Sequence, residues 1–426
     1  MVTSSQFASS VIALAGGTAI GQLVVIIASP LISRIYSPAE LGVLAVFVSF
    51  LAPAISVAAL RYEVAIVIPR SDRVAVHLLW LSLLLVCFLV SLAAVVVLIA
   101  GHRLVSIAGV PALGPYLSLL PISMLGGGIY LVFSAWAIRR QRYSLIGRTR
   151  LIQQIWLVSL QSALGIASAG PLGLLVGDAL GRSAGSLTIV RSLFPGRSLW
   201  HSRPRRLASL LAVARRYRRF PMYSTGPALL NSFSLQLPVI LLAGYYGSTT
   251  VGLFAIGNRV LAGPLNLVGA AVSQVLLGSA ARVGAGNPLE LERLCRRTVL
   301  RLVQIGIVTV VPVAFVAPWA FSLVFGPEWH EAGVYVQLLA PMIFCQFAFG
   351  PLGTVLDVLE RQDLHVYREI ARIVLMTAAV FIGASLGAGD RLTIALLSIA
   401  GTFSYSIGLL LAWYAVRSAI RAVHST

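Results

Sequence analysis

The chain has 426 residues, of which 58% are hydrophobic and 11% are charged, and its mean hydropathy is +0.92. Soluble domains carry about 25% charged residues, so this composition excludes an ordinary soluble globular protein. The net charge is +19, and all 32 of the Lys and Arg residues are arginines. A nucleic-acid-binding protein could share this charge but not this apolar content. The composition therefore indicates a polytopic membrane protein, and we expect no nucleic-acid partner.

Twelve segments have the length that a membrane-spanning helix requires, which is about 20 mostly apolar residues. The fifth and sixth segments are separated only by the short turn at 169–171. The sequence thus predicts an all-α polytopic membrane protein with about twelve transmembrane helices. The segments cover residues 11–33, 40–60, 76–100, 114–138, 151–168, 171–190, 220–244, 250–281, 302–324, 333–356, 370–388 and 392–416.

The arginines lie almost entirely in every second connection between these segments. Those connections and the C-terminal tail hold 27 of the 32 arginines, whereas the opposite side holds only Arg34, Arg103 and Arg391. Short cytoplasmic loops of membrane proteins carry the excess of basic residues. We therefore expect both termini to lie in the cytoplasm.

The longest of these arginine-rich connections, 191–219, contains the segment LASLLAVARRYRRF. Its leucines recur at helical spacing on the side opposite four arginines, which is typical of an amphipathic helix lying on a membrane surface. Anionic lipid of the inner leaflet would attract these arginines. The pattern predicts a surface helix that has membrane lipid as its partner.

Two pairs of segments match at about half the chain length. YSPAELGVLAV (36–46) aligns with YGSTTVGLFAI (246–256), and GPYLSLLP (114–121) aligns with GVYVQLLAP (333–341), at offsets of 210 and 219. We expect two six-helix lobes, 1–196 and 220–426, joined by an amphipathic linker, 197–219. An even number of spans per lobe makes them parallel repeats, related by an axis along the membrane normal. Two such lobes around a central cleft form the architecture of a transporter.

Four segments carry a more specific signal: SRIYSPAELGVLAVF (33–47), LRYEVAIVIPRSD (60–72), FPMYSTGPALLNSFSLQLPVILL (220–242) and FAIGNRVLAGPLNLVGAAVSQV (254–275). They resemble recurring segments of the Wzx-type oligosaccharide flippases, which belong to the multidrug/oligosaccharidyl-lipid/polysaccharide (MOP) exporter superfamily. The resemblance implies a non-enzymatic flippase of the bacterial inner membrane. Its substrate would be a polyprenyl-pyrophosphate-linked oligosaccharide for O-antigen, capsule or exopolysaccharide assembly. A polysaccharide polymerase or a glycosyltransferase is a candidate protein partner.

Arginines in or beside the spans are the first candidates for contact with this substrate. Arg259 lies about ten residues into the eighth span, where an ionisable group is costly and by default faces a partner or a water-filled cavity. It either binds phosphate from the cleft or forms a structural pair with a carboxylate on another helix. Arg34 and Arg61 flank the ends of spans 1 and 2, where they either bind substrate or extend to the interface.

Uncharged polar residues and two acids complete the candidate set. Gln22, Asn231 and Gln236 lie in spans 1 and 7, which proline and glycine interrupt at corresponding places in the two halves. Interrupted helices of this kind point to a substrate site, although small residues also serve close helix packing. Asp178 and Asp357 are candidates for ion coupling. The alternatives are an intrahelical pair with Arg182 for Asp178 and an interfacial position for Asp357.

Two other functional classes stay open on the sequence alone. A drug or cation antiporter of the same superfamily would require acids in the cleft, but the charges within the spans lean to arginine. A membrane-embedded polysaccharide polymerase or glycosyltransferase would require a sizeable catalytic loop. The longest loop expected on the outside is about a dozen residues. The histidines and cysteines show no ligand spacing, so we expect no metal and no cofactor.

The distribution of arginines makes a testable prediction about topology. Reporter fusions after Arg150 and after Arg206 should both report the cytoplasm, because arginine-rich connections stay on that side. A fusion near Glu328 should report the periplasm. A cytoplasmic signal from the Glu328 fusion would contradict the twelve-span topology.

Overall fold

A computed structural model describes residues 4–193, 207–283 and 287–424. The regular structure in these ranges is helical, without a β-strand. Short 3₁₀ turns precede α5 and α11 and connect α11 to α12. The helices are α1 (Ser4–Ile35), α2 (Pro38–Ser56), α3 (Tyr62–Ala65), α4 (Asp72–Ala108), α5 (Leu119–Arg139), α6 (Tyr143–Ile166), α7 (Pro171–Leu193), α8 (Leu207–Arg216), α9 (Arg219–Val283), α10 (Pro288–Val324), α11 (His330–Phe349), α12 (Gly353–Val358), α13 (Gln362–Ser385) and α14 (Asp390–His424).

The all-helical polytopic fold predicted from the sequence is confirmed, and each predicted span overlaps a helix. Among the described residues, eight helices are long and apolar enough to cross a membrane. One of them, α9, has 65 residues, which is enough for two spans. Helices α6, α7 and α13 are not among the eight; they contain charged and amide side chains within their length. The count of twelve spans stays a prediction.

Interatomic contacts divide the chain into an N-terminal unit, Met1–Thr249, and a C-terminal unit, Thr250–Thr426. The first part of α9 thus groups with the N-terminal unit, although the sequence repeat assigns it to the second lobe. The lobe boundaries 1–196 and 220–426 describe sequence equivalence and stay a prediction. The linker residues 197–206 lie outside the described part of the chain.

The first sequence repeat corresponds to a helix break in each half. Ser37 caps α2, where its side chain accepts from the Glu40 backbone N–H while the Glu40 carboxylate accepts from the Ser37 backbone N–H. This reciprocal arrangement satisfies two amides that the helix leaves free. At the aligned place, α9 is broken at Gly247, whose φ of 80° and ψ of −179° are not helical. Glycine adopts a positive φ without steric cost.

The second repeat is visible in the turns. Gln141 and Glu360, 219 residues apart, both have a positive φ, of 55° and 56°. The pair Ser168 and Gly387, also 219 residues apart, has φ values of 58° and 62°. The helices between these turns, α6 and α13, each have 24 residues. Recurrence of the same turns at the same offset supports an internal repeat, and the axis relating the lobes stays a prediction.

Glycines on α7 allow two amide side chains of α6 to enter the α6–α7 interface. A Cβ atom at Gly185 would lie 2.4 Å from Cγ of Gln153, and one at Gly177 would lie 2.5 Å from Cγ of Gln161. Both glutamines donate through Nε2 to backbone carbonyls of α7, at 2.9 and 3.0 Å. In hydrocarbon a buried amide needs an internal partner. The space at each glycine, here called a glycine notch, lets the glutamine side chain reach that partner.

The segment predicted to form an amphipathic helix is helical as α8, and its position on the membrane surface stays a prediction. Leu210 and Val213 are buried, and α8 packs against α4. Leu207 and Leu211 are exposed, so Val213 takes the packing position that the sequence pattern gives to Leu211. The arginines that end α8 are exposed. The helix thus keeps both an apolar edge and a basic edge free of the rest of the N-terminal unit.

A close helix crossing in this unit predicts opposite effects for two adjacent glycines. A Cβ atom at Gly17 of α1 would lie 2.3 Å from Cα of Gly147 in α6, whereas one at Gly16 would meet nothing within 4 Å. Gly17→Ala should destabilise the protein by about 1–3 kcal/mol through overpacking. Gly16→Ala should be neutral or stabilise by up to about 1 kcal/mol. Thermal unfolding in detergent measures both, and equal effects would contradict the crossing.

Candidate functional site

The C-terminal unit contains a cavity of about 240 Å³. Its walls come from α9, from the end of α11 and the turn that follows, and from α13 and α14. Apolar residues, including Phe347 and Phe349, form part of the lining. The polar and charged side chains of the lining are Asn266, Ser273, Gln346, Arg368, Arg372, Ser404 and Tyr405. Polar groups converging in a cleft among apolar residues are typical of a ligand site.

Helix α13 positions the charges of this cavity. Arg368 and Arg372 are one helical turn apart and therefore share a face, and both pair with Glu369. Arg368 donates from Nε and Nη2 to Oε1 of Glu369, at 3.2 and 2.9 Å, and Arg372 donates from Nη2 to Oε2. Glu369 is 4% exposed and Arg372 is 6% exposed. Two of the three charged groups are thus buried, where charge is costly unless it is paired.

Uncharged polar groups surround the triad. The Gln346 side chain donates from Nε2 to Oδ1 of Asn266, at 3.1 Å. The hydroxyl of Tyr405 lies within hydrogen-bonding reach of the Arg372 guanidinium. Amides and hydroxyls both donate and accept hydrogen bonds. The cavity therefore offers fixed positive charge together with groups that suit hydroxyl-bearing ligands.

The equivalent positions in the N-terminal unit have a different chemistry. At the offset of 219, Arg372 corresponds to Gln153, and Ser404 corresponds to Gly185. Gln153 fills the notch at Gly185 and satisfies its amide on a backbone carbonyl. At the same offset Arg368 corresponds to Thr149 and Glu369 to the exposed Arg150, so the N-terminal half has neutral side chains where the other half has its two arginines. Helix packing at these two positions therefore does not require an arginine, which points to a function for Arg368 and Arg372.

The sequence analysis missed this site because it began the eleventh span at residue 370. The helix begins at Gln362, so Arg368 and Glu369 belong to it rather than to a cytoplasmic loop. A usable signal was present, since the alignment at offset 219 gives α13 the same start and length as α6. The spacing of 368, 369 and 372 then gives an Arg-Glu-Arg face on one helix.

Most predicted cleft residues lie in the N-terminal unit. Arg34 is exposed at the end of α1, and Gln22 is half-buried in the same helix. In the first part of α9, Asn231 is exposed and Gln236 is half-buried. Their contact with a substrate stays a prediction.

Arg61 lies in a strained turn beside a buried acid that the sequence analysis did not single out. Its φ of 64° follows a φ of 47° at Leu60, and such left-handed residues often mark functional sites. Nη1 of Arg61 is 3.5 Å from Oε1 of Glu63, which is 2% exposed. Nε of Arg61 and both Glu63 oxygens are buried without a hydrogen bond. Burial raises the pKa of Glu63, and the charge of Arg61 opposes this shift.

The two acids proposed for ion coupling each have a basic neighbour. Asp178 is buried and accepts two bonds from Arg182, at 2.7 and 2.9 Å. This is the intrahelical pair that the spacing predicts. Asp357 is exposed in α12, with Oδ1 at 3.1 Å from Nε2 of His365. A role in ion coupling stays a prediction for both.

Arg259 lies in the C-terminal unit, half-buried in α9. It precedes Asn266 of the cavity wall by seven residues, which is two helical turns on one face, or about 10 Å. The helix that holds the predicted phosphate-binding arginine thus also forms a wall of the cavity. Within the described ranges, no group of three or more His, Cys, Asp or Glu residues could hold a metal ion.

Comparison with known proteins gives the fold and the family. The structure is similar to the inward closed conformation of the lipid II flippase MurJ, with a TM-score of 0.76 at 11% identity over 95% of this chain and 87% of that one. It is also similar to an inward-facing multidrug resistance MATE transporter of the MOP superfamily, with a TM-score of 0.65 at 16% identity over 97% and 96% of the two chains.

A third similar structure is a MOP superfamily transporter from Pyrococcus furiosus whose binding pocket is described as having reverse polarity. Its TM-score is 0.61 at 15% identity, over 96% of each chain. Among curated proteins, none matches this chain. The family model described as polysaccharide biosynthesis protein matches residues 31–334. The chain therefore has the fold of the MOP superfamily transporters and belongs to the polysaccharide biosynthesis protein family.

Proposed function

We propose that the protein is a flippase that moves a polyprenyl-pyrophosphate-linked oligosaccharide from the cytoplasmic to the outer leaflet of a bacterial inner membrane. The cavity lined by two arginines, within a fold of membrane transporters, is the observation that carries this proposal. Membership of the polysaccharide biosynthesis family supports the substrate class. The product of translocation would serve the assembly of a surface polysaccharide.

The side chains of the cavity suit the chemical groups of this substrate. A sugar headgroup cannot cross hydrocarbon unaided, because its hydroxyls would lose their hydrogen bonds to water. Polar walls such as Asn266, Gln346 and Tyr405 can replace those bonds. Pyrophosphate is matched by arginine, which stays charged and presents a planar fork of donors to phosphate oxygens.

The energy for outward movement need not come from an ion. Each negative charge that moves outward gains about 2.3 kcal/mol for every 100 mV of inside-negative potential. A pyrophosphate with about two charges therefore has a favourable path without coupling. Alternating access between the two membrane faces, with Arg259, Arg34 and Arg61 meeting the phosphates, completes the proposed mechanism. Gln22, Asn231 and Gln236 would line the path of the sugars.

The pairing of the buried acids with arginines argues against a drug or cation antiporter. Such a protein holds its cation with carboxylates inside the membrane. Asp178 of α7 and Glu369 of α13 are buried acids, and each of them pairs with arginine. A cation entering either place would have to displace an arginine, whereas an anion would meet one.

Arg259 is the residue whose replacement tests the proposal. Arg259→Ala should abolish export of the polysaccharide while leaving the abundance of the protein in the membrane nearly unchanged, because the lost group acts on the substrate. Arg259→Lys should keep partial export, since a point charge still attracts phosphate without the bidentate geometry. Both quantities are measured in the same cells, together with the lipid-linked intermediates that accumulate.

A structural role for Arg259 gives a different pattern. The Ala variant would then leave a buried carboxylate unpaired, and protein abundance would fall together with export. Normal export from a stable Ala variant would remove Arg259 from the substrate path. If deletion of the gene causes no lipid-linked oligosaccharide to accumulate, the proposal that the protein is a flippase is wrong.

A further inference from the structure

A second recess of the C-terminal unit, of about 900 Å³, lies where α9 ends and α10 begins. The distribution of arginines assigns this end of the unit to the cytoplasm. The charged side chains of the lining are Arg282, Arg293, Arg297 and Glu290. The Glu290 carboxylate accepts from Nδ2 of Asn287, at 3.1 Å, within the cap of α10. Three arginines against one acid leave the lining with a net positive charge.

The arginines of this recess and their neighbours on α10 have no carboxylate partner. Within the described part of the chain, an ion pair is formed by none of Arg282, Arg293, Arg296, Arg297 and Arg301. Arg282 donates instead to uncharged groups of its own helix, the carbonyl of residue 278 and a serine hydroxyl, at 3.2 and 3.5 Å. All five arginines are exposed. Their charges are therefore accessible to an external anion.

The buried side of α10 determines which way these arginines face. Leu291 and Cys295 are buried in an apolar core that also contains Leu276 of α9. Positions two apart on a helix differ by about 200°, so Arg293 and Arg297 lie on the side opposite Leu291 and Cys295. The core thus holds the two helices together and turns the arginines outwards.

An exposed apolar stripe continues from Arg297 along the same face of α10. Its residues follow one another at spacings of about three or four, which keeps them on one side of a helix. Contiguous exposed apolar surface of this kind marks contact with a membrane or a partner. The large apolar side chains of the stripe are Leu300, Ile307, Val308, Val311 and Phe315.

The depth of the arginines follows from Trp319 at the other end of the stripe. Trp319 is 69% exposed, and tryptophan is enriched at membrane interfaces. It follows Arg297 by 22 residues, which is about 33 Å of helix. The hydrocarbon core of a bilayer is about 30 Å thick. Trp319 and Arg297 therefore match opposite edges of the hydrocarbon, which places Arg297 at the level of the lipid headgroups.

We infer that the recess binds the headgroup of an anionic phospholipid, whose acyl chains lie along the exposed stripe of α10. Arginine presents a planar fork of donors that matches phosphate oxygens. Basic pockets between helices at the cytoplasmic side bind anionic lipid headgroups. A soluble anion would use the arginines but not the apolar stripe that continues from them. The stripe lies on the outer face of α10, where the lipids of the bilayer itself reach it.

The test measures lipid retention by the full-length protein purified in detergent. Phosphatidylglycerol and phosphatidylcholine with identical acyl chains are added in equal amounts, and retained lipids are counted by native mass spectrometry. The wild type should retain phosphatidylglycerol about tenfold more often, because each basic side chain near the surface favours anionic lipid. The double variant Arg293→Ala and Arg297→Ala should lose most of this preference. Replacement of both by lysine should keep part of it, since a point charge remains without the fork.

The double variant Arg417→Ala and Arg421→Ala is the matched control. These two arginines have the same spacing of four residues, are exposed on α14 and lie outside the lining of the recess. Their removal changes the net charge by the same amount, so the preference for phosphatidylglycerol should stay. Thermal unfolding of each variant without added lipid shows whether its fold is kept.

Three results would overturn the inference. The first is equal retention of the two lipids by the wild type, and the second is equal loss of preference in the two alanine pairs. The third is displacement of phosphatidylglycerol at constant ionic strength by inorganic phosphate, which would make the site one for a soluble anion, or by a polyprenyl phosphate, which would assign it to the transported lipid. Retention that withstands both competitors and depends on Arg293 and Arg297 supports the inference.

Discussion

Hydrocarbon offers no hydrogen-bond partner to a peptide group, and this constraint determines most of the structure. Every backbone polar group within the hydrocarbon must find an internal partner. A helix satisfies the hydrogen bonds of its own backbone, and the described residues form only helices and turns. Side chains need separate solutions, of which the glycine notches of α7 are one. There, two glutamines of α6 reach backbone carbonyls that a larger residue would cover.

Charged side chains buried among the helices are subject to the same constraint at a higher cost. In the N-terminal unit, Asp178 and Arg182 neutralise each other within one helix. In the C-terminal unit, Glu369 is shared by two arginines, and both Glu369 and Arg372 are buried. Charge buried in this way is costly unless it is paired. Because the repeat places neutral Gln153 at the position of Arg372, the fold itself does not explain the charge.

The sequence predicted the features that follow from hydropathy and spacing. The helices overlap the twelve predicted spans, the amphipathic segment of the linker is helical in α8, and Asp178 pairs with Arg182 at the predicted spacing. The cavity escaped prediction because apolar content set the start of the eleventh span. Charged residues lower the local hydropathy even where they pair with one another inside a helix, so Arg368 and Glu369 counted as loop. Contacts such as Gln346 with Asn266 join residues 80 positions apart, and no local pattern indicates them.

The central claim is that the protein moves a lipid-linked oligosaccharide between leaflets, and reconstitution tests it most directly. The purified protein is placed in liposomes containing a fluorescent polyprenyl-pyrophosphate oligosaccharide, and a reductant that cannot cross the membrane is added. With an inside-negative potential, the account predicts that the reductant quenches label beyond the fraction initially in the outer leaflet, and that Arg259→Ala liposomes lose this excess. Quenching limited to the outer-leaflet fraction with active wild-type protein would contradict the account.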